Sequence, residues 1–312
     1  MRRFLIYRLV RAVVVLWGVT TVVFVVAGLS GDPVTLLVPL DTPVAEIERL
    51  RHELGLDAPI STQYLRFLSE VSRGDFGRSI RYGEPVMGLV LERLGPTLEL
   101  ATASLLLAIS VAIPVGVFSV LKPNSLYDRA AMAVTLLGQS TPTFLAGILL
   151  ILVFSVQLRL LPSGGRGRWL DLVLPAATLG AWAMASIARL TRTAMLEVIH
   201  KDYIRTARAK GLGESAILVR HALKNAAIPL VTIVGLQLGA LLAGAVVVET
   251  VFSWPGMGRL MIQAIGARDY PVVQAGVFLV AAGFVVVNFL VDLSYAANSM
   301  VDFRRDNLSF GS

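Results

Sequence analysis

Six uncharged, strongly apolar runs divide this chain, from about Ala12 to Leu29, Leu100 to Leu121, Ala130 to Leu158, Leu172 to Ala188, Asn225 to Val248 and Tyr270 to Val291. A bilayer core about 30 Å thick takes roughly 20 apolar residues to cross as a helix. Helices and closed barrels are the only backbones that satisfy their own polar groups in lipid. The runs therefore predict an all-α polytopic membrane protein with six transmembrane helices. Composition agrees, with 55% hydrophobic and 16% charged residues, against about a quarter charged in soluble domains. Cys is absent, which removes disulfides, thiol catalysis and Cys-ligated metals. The fourth run is the shortest, and it spans if Arg189 snorkels. Arg2, Arg3, Arg8 and Arg11 ahead of the first run resemble the start of a signal peptide. The run is too long for a signal peptide's apolar region and five more follow, so it reads as a retained anchor.

Basic residues near the span ends set the orientation. The N-terminal arginines and the compact basic cluster from Arg189 to Lys224 fall on one side, which predicts that both termini are cytoplasmic. The excess positive charge then lies on the cytoplasmic face, because acids offset the basic residues outside and three more at the span edges bring the sum to the net +7. The expected organisation is residues 1–29 as N-terminal end and first span, 30–95 as an extracytoplasmic subdomain, 96–301 as the transmembrane core, and 302–312 as a cytoplasmic tail. The subdomain is too long to be a connector. Thr42 and Pro43 resemble an N-cap and first-turn pair. Val44, Ile47, Leu50 and Leu54 then share one helical face before Gly55, and Tyr64, Phe67, Leu68 and Val71 form a second amphipathic stretch before Gly74.

Between the fourth and fifth runs, at about 191–228, lies a segment longer than topology needs. Helix-favouring residues flank Lys210-Gly211-Leu212-Gly213 on both sides. Two short helices with a glycine turn would present a rigid knob, and Arg205, Arg208 and Lys210 would make it positive. Here the chain resembles a known family. Tyr203-Ile204-Arg205-Thr206-Ala207-Arg208-Ala209-Lys210-Gly211 is similar to the EAA loop of ATP-binding-cassette importer permeases. More narrowly it resembles the dipeptide/oligopeptide branch, which includes nickel and glutathione permeases. Arg205-Thr206-Ala207 stand at the Glu-Ala-Ala positions and Gly211 at the family glycine. His221 and Leu223 stand at Ile and Leu, and Lys224 replaces the family proline.

Other segments resemble the same branch: Leu54-Gly55-Leu56-Asp57, Gly74-Asp75-Phe76-Gly77-Arg78-Ser79, Pro96-Thr97-Leu98-Glu99-Leu100 and Thr141-Pro142-Thr143-Phe144. So do Phe252-Ser253-Trp254-Pro255-Gly256-Met257-Gly258 and Arg268-Asp269-Tyr270-Pro271. The resemblance implies a transport subunit of a bacterial inner membrane, without its own ATPase site, forming half of the path of a peptide importer. It also implies a second permease subunit, two cytoplasmic ATPases and an external substrate-binding protein as partners. Tyr203, Arg205, Thr206, Ala207, Lys210 and Gly211 would couple to the ATPases. The partners would hydrolyse ATP with Mg, since no G-x-x-x-x-G-K-[ST] loop occurs in this sequence and no cofactor is expected on this chain.

Gln139, Ser140 and Thr141 precede Pro142 within the third run, and Gln237 and Asn288 lie deeper in the fifth and sixth. These are candidates for the translocation path, alongside the plainer readings of a proline kink and inter-helix hydrogen bonds. Gly235, Gly239 and Ala243 recur every four residues and predict close helix packing. Glu99, Glu249 and Asp292 are expected at span edges, within reach of water or headgroups, so no carboxylate marks the midplane as in an ion-coupled carrier. That carrier is the rival from another class, and nickel or another small solute the rival within the family. His52, His200 and His221 form no metal-ligand spacing, and no G-x-S-x-G nucleophile occurs.

Overall fold

The computed structural model describes residues 2–29, 34, 38, 42–53 and 55–309, with side chains described at 6–292 within those ranges except at 228. Leu54 of the first amphipathic face, Ser30 at the head of the expected subdomain and residues 310–312 of the tail lie outside the described residues. Every named element is a helix. The chain forms two compact units, Met1–Thr97 with Pro255–Val285, and Leu98–Trp254 with Val286–Ser312.

The first unit holds α1 (Arg2–Leu29), α2 (Val44–Glu53), α3 (Ile60–Ser72), the first turns of α4 (Val86–Ser119), α10 (Met257–Gly266) and the first part of α11 (Tyr270–Ser309). Leu9, Val13, Trp17, Val22 and Val26 of α1 are all exposed, an apolar surface suited to lipid. Pro43 rather than Thr42 borders α2, accepting from the N–H groups of Glu46 and Ile47. Gly55, at φ +66, ends it. On α3, Tyr64 and Phe67 each pack 5.3 Å from the Phe24 ring of α1, and the Tyr64 and Thr21 hydroxyls meet at 2.6 Å. Phe76, Val86, Val90, Met257, Leu260 and Val272 form the unit's core.

The second unit is built around α7 (Val173–Ile199). A 3₁₀ turn over Trp169–Leu172 leads into it. Glycines report how its neighbours run. A Cβ on Gly180 of α7 would lie 2.7 Å from the Ser104 carbonyl of α4, and one on Gly116 of α4 would lie 2.7 Å from the Ala188 carbonyl and 2.6 Å from Thr191 Cβ. Numbers rise together along both helices, so α4 and α7 run the same way. α9 (Leu223–Val251) runs opposite, with Gly244 beside Leu179 and its lead-in, a π-helix over Ile217–Ala222, packed with Ala194 and Met195. A Cβ on Gly235 of α9 would lie 2.1 Å from Val291 of α11, so the close approach expected of this glycine is made there.

Among the described residues, five helical segments are long and apolar enough to cross a membrane: Ile6–Leu29, Val86–Ser119, Trp169–Ile199, Pro229–Val251 and Tyr270–Asp292. The third apolar run differs. Instead of one kinked helix it forms α5 (Leu126–Ser140) and α6 (Thr143–Leu150, continued as a π-helix to Gln157), meeting at 107°. Pro142 disfavours helical backbone at the residue before it, and Thr141 is extended, with φ −79 and ψ 126. The bent pair lies along α7 in order: Asp128 bonds Arg192, Gly138 lies beside the Ala181 carbonyl and Gly147 beside Thr178.

A turn near Gly164 meets the end of α9. Gly165 N–H donates to the Phe252 carbonyl at 2.9 Å, and a Cβ on Gly164 would lie 2.1 Å from that same oxygen. The obstacle is main chain and cannot swing aside. Gly164→Ala is expected to destabilise this unit by about 3 kcal/mol, the upper range for overpacking. A lowered melting temperature of the purified protein in detergent checks this; unchanged melting would show that the turn does not seat on Phe252.

Candidate functional site

α7 ends at Ile199, and the chain turns into α8 (Asp202–Ala209). Ile204 and Ala207, one turn apart, are buried against Val117 of α4, Val120 in the turn that follows it, Ala194, Met195 and Ile199 of α7, and Ile217 and Leu218. The helix stops in a Schellman turn, with Gly211 N–H bonded to the Arg208 carbonyl at 2.9 Å and Leu212 N–H to the Ala207 carbonyl at 3.3 Å. Gly211 sits at φ +77, a left-handed conformation natural to glycine. Arg208 clamps the far side of the turn through Glu214, at 2.7 and 3.3 Å. That hydrogen-bonded guanidinium holds the Glu214 carboxyl below the usual carboxylate range.

With its apolar edge buried, α8 turns a polar face outward. Tyr203, Arg205, Thr206, Lys210 and Gly211 are exposed. Ala207 is not: it belongs to the packing beneath the helix and cannot itself touch a docked partner. Lys201 and Arg220 are exposed as well, so the surface is positive. A stiff helix on a buried apolar base, stopped by a defined turn, can carry force from a bound protein into α4 and α7.

Gln139, Ser140, Thr141 and Pro142 gather at the junction of α5 and α6, where Thr141 Oγ1 and N–H both donate to the Leu137 carbonyl. The Thr141 hydroxyl thus stays within the terminal turn of α5. Gln237 is buried on α9 and Asn288 is partly buried on α11. None of these lines the cleft of about 400 Å³ in the first unit, whose walls include Tyr82, Glu84, Glu92, Arg93 and Arg259. Among the described residues, no group of three or more His, Asp or Glu side chains is placed to hold a metal ion.

Glu249 corrects an expectation. It lies near the end of α9, yet it is fully buried rather than reached by water. The helix ends in a turn with Ser253 at φ +52, and the flanking Phe252 and Trp254 are buried, so protein covers this helix end. Glu99 does remain accessible and pairs with Arg166 at 2.7 Å.

Two polar centres escape sequence reading. Asp128 at the start of α5 receives two hydrogen bonds from Arg192 of α7, both 2.7 Å. Their side chains are 3% and 23% exposed. Asp269, 1% exposed, accepts from the Ser79 hydroxyl and from the N–H groups of Ile80 at 3.1 Å and Arg81 at 3.2 Å. The first pair joins residues 64 apart and the second 190 apart, so local pattern carries no signal for either. The Arg268-Asp269-Tyr270 wording pointed at the neighbourhood of Asp269 without giving its partner.

Comparison with known proteins matches residues 112–299 to the model of the binding-protein-dependent transport system inner membrane component. Residues 1–101 match the N-terminal region of such membrane components. The glutathione transport system permease protein GsiC of Pectobacterium atrosepticum is 42% identical over 298 residues, covering 95% of this chain and 97% of that protein. GsiC of Escherichia coli strain K12 is 41% identical over the same shares. Among solved structures, a crystal form of the inward-facing MetNI methionine ABC transporter aligns with a TM-score of 0.58 at 24% identity, over 69% of this chain and 98% of that one. An amino acid ABC transporter aligns with a TM-score of 0.51 at 15% identity, over 73% and 96%. These two likenesses show the fold.

Proposed function

Because the chain belongs to the family of binding-protein-dependent transport system inner membrane components, we propose that it is one permease subunit of an ATP-driven importer of short peptides, glutathione among them. It forms half of the translocation path beside a second permease subunit. An external binding protein delivers substrate, and two cytoplasmic ATPases hold the nucleotide and Mg. The observation that carries this reading is α8, whose exposed positive face stands on a buried base at the meeting of α4 and α7. A surface of that kind suits docking to an ATPase, and the matches to glutathione permeases favour peptide cargo.

Topology supports the reading. α4 and α7 run the same way, so the intervening bent pair brings the chain back across the layer once. Counted so, there are six crossings, with α8 and both termini on the cytoplasmic side and residues 30–95 outside. The path residues assigned on this reading are Gln139, Ser140, Thr141 and Pro142 at the bend, with Gln237 and Asn288. Tyr203, Arg205, Thr206, Lys210 and Gly211 make or shape the ATPase contact, and Ala207 supports it from beneath.

The test is uptake by the complex reconstituted in vesicles with its binding protein. Labelled glutathione and peptides of graded length are expected to accumulate only with ATP and the ATPases present, and nickel is not. Uptake without the ATPases, driven by a proton gradient, would overturn the importer reading in favour of an ion-coupled carrier. ATP-dependent accumulation of nickel alone would overturn the peptide assignment.

A further inference from the structure

We infer that Asp128 and Arg192 are a positioning pair that makes α5 move as one body with α7 and the α8 knob, so that force on α8 reaches the bend at Thr141–Pro142. This rests on the reading of α8 as the ATPase contact. Arg192 forks onto both carboxylate oxygens of Asp128 at 2.7 Å, a geometry that fixes direction as well as distance. The carboxylate is held further by Asn124 N–H at 2.9 Å, and Asp128 N–H donates to Ser125 Oγ at 3.3 Å. The turn after α4 is thereby tied into the same point. One residue before Arg192, Thr191 lies against Gly116 of α4, and three residues after it Met195 enters the cluster that seats Ile204 and Ala207 of α8.

From Asp128 to Thr141 is about 20 Å of α5 at the rise of an α-helix. α5 rests on α7 again near its far end, where Gly138 approaches the Ala181 carbonyl. α5 is therefore anchored to α7 at one end by the ion pair and lies alongside it near the other. Apolar residues can replace a buried ion pair at little or no cost in stability, so its use here is explained better by the direction it imposes than by the strength it adds.

The experiment uses the assembled complex in vesicles. Because single substitutions leave a buried charge unpaired, the main variant is D128L/R192M, with the swap D128R/R192D beside it. D128L/R192M is expected to co-purify with the ATPases and hydrolyse ATP within two-fold of wild type, while moving at most one-tenth as much substrate per ATP. The swap is expected to restore at least half of that ratio. The chain has no Cys, so spin labels can be placed at Leu137→Cys on α5 and Ser215→Cys beside α8. Their separation should stay narrow and unchanged when ATP is added to the otherwise wild-type complex, and broaden in D128L/R192M. A wild-type separation that shifts with ATP, or full transport per ATP in D128L/R192M, would overturn the inference. Failure of the α8 reading shows separately, as normal coupling in a complex whose Gly211 turn has been broken.

Discussion

Gly211→Pro is expected to cut ATP-dependent uptake, and the stimulation of ATPase by the loaded binding protein, at least ten-fold. Gly211 holds φ +77, and its N–H donates to the Arg208 carbonyl at 2.9 Å. Proline fixes φ near −65° and carries no N–H, so both features are lost together. The Schellman turn must then reform elsewhere, and Tyr203, Arg205 and Lys210 no longer stand in fixed relation to Ile204 and Ala207 beneath. Nothing would meet the added Cβ of an alanine there, which leaves only the left-handed backbone cost of about 1–2 kcal/mol. Gly211→Ala should therefore retain most uptake. The ordering wild type, alanine, proline is the diagnostic result, measured alongside co-purification with the ATPases. Wild-type uptake and stimulation in the proline variant would remove the coupling role from this turn.

Asp269→Ala is expected to have the largest effect on stability outside the second unit. The carboxylate is 1% exposed and accepts from the Ser79 hydroxyl and from two backbone N–H groups. Ser79 Oγ in turn accepts from Tyr82 N–H at 3.0 Å. Removing the carboxylate leaves the buried Ser79 hydroxyl without its acceptor, at about 1–3 kcal/mol, and releases the part-buried N–H groups of Ile80 and Arg81. The turn over residues 77–85 should open, seen as faster hydrogen exchange at Ile80, Arg81 and Tyr82 and a lower melting temperature. Asp269→Asn keeps one acceptor oxygen but sets an amide donor against another donor, so it should fall between. Unchanged exchange in the alanine variant would show that the turn is held by its own contacts, such as Arg78 Nε to the Gly83 carbonyl at 2.9 Å.

The apolar runs made the helical membrane architecture legible, since length and hydrophobicity act locally. The knob was legible too, because Gly211 and the apolar pair Ile204 and Ala207 lie within a few residues of one another. Which proline would break its helix was not. Pro96 and Pro114 lie inside α4 and Pro229 inside α9, and those helices continue through them, whereas Pro142 separates α5 from α6. Proline removes one hydrogen bond and crowds the preceding turn everywhere. Neighbouring helices decide whether the chain bends or breaks, and those neighbours come from distant sequence. Charge was misread for the same reason. Arg192 counts as one more cytoplasmic cation until α5 is laid on α7, and Glu249 passes for a water-exposed end until Phe252 and Trp254 fold over it.

The two glycine crossings of α4 and α7 bear on how such a sequence can diverge. At Gly180 the opposing atom is the Ser104 carbonyl, and at Gly116 it includes the Ala188 carbonyl. Every residue type carries that oxygen, so no second substitution across the crossing can make room for a larger first one. Gly235 faces a side chain, Val291, and a smaller residue there could compensate for a larger one at 235. Among descendants of this chain, 235 and 291 are free to change as a matched couple. Positions 116 and 180 have no such escape, and lineages that keep the helices together must keep glycine at both.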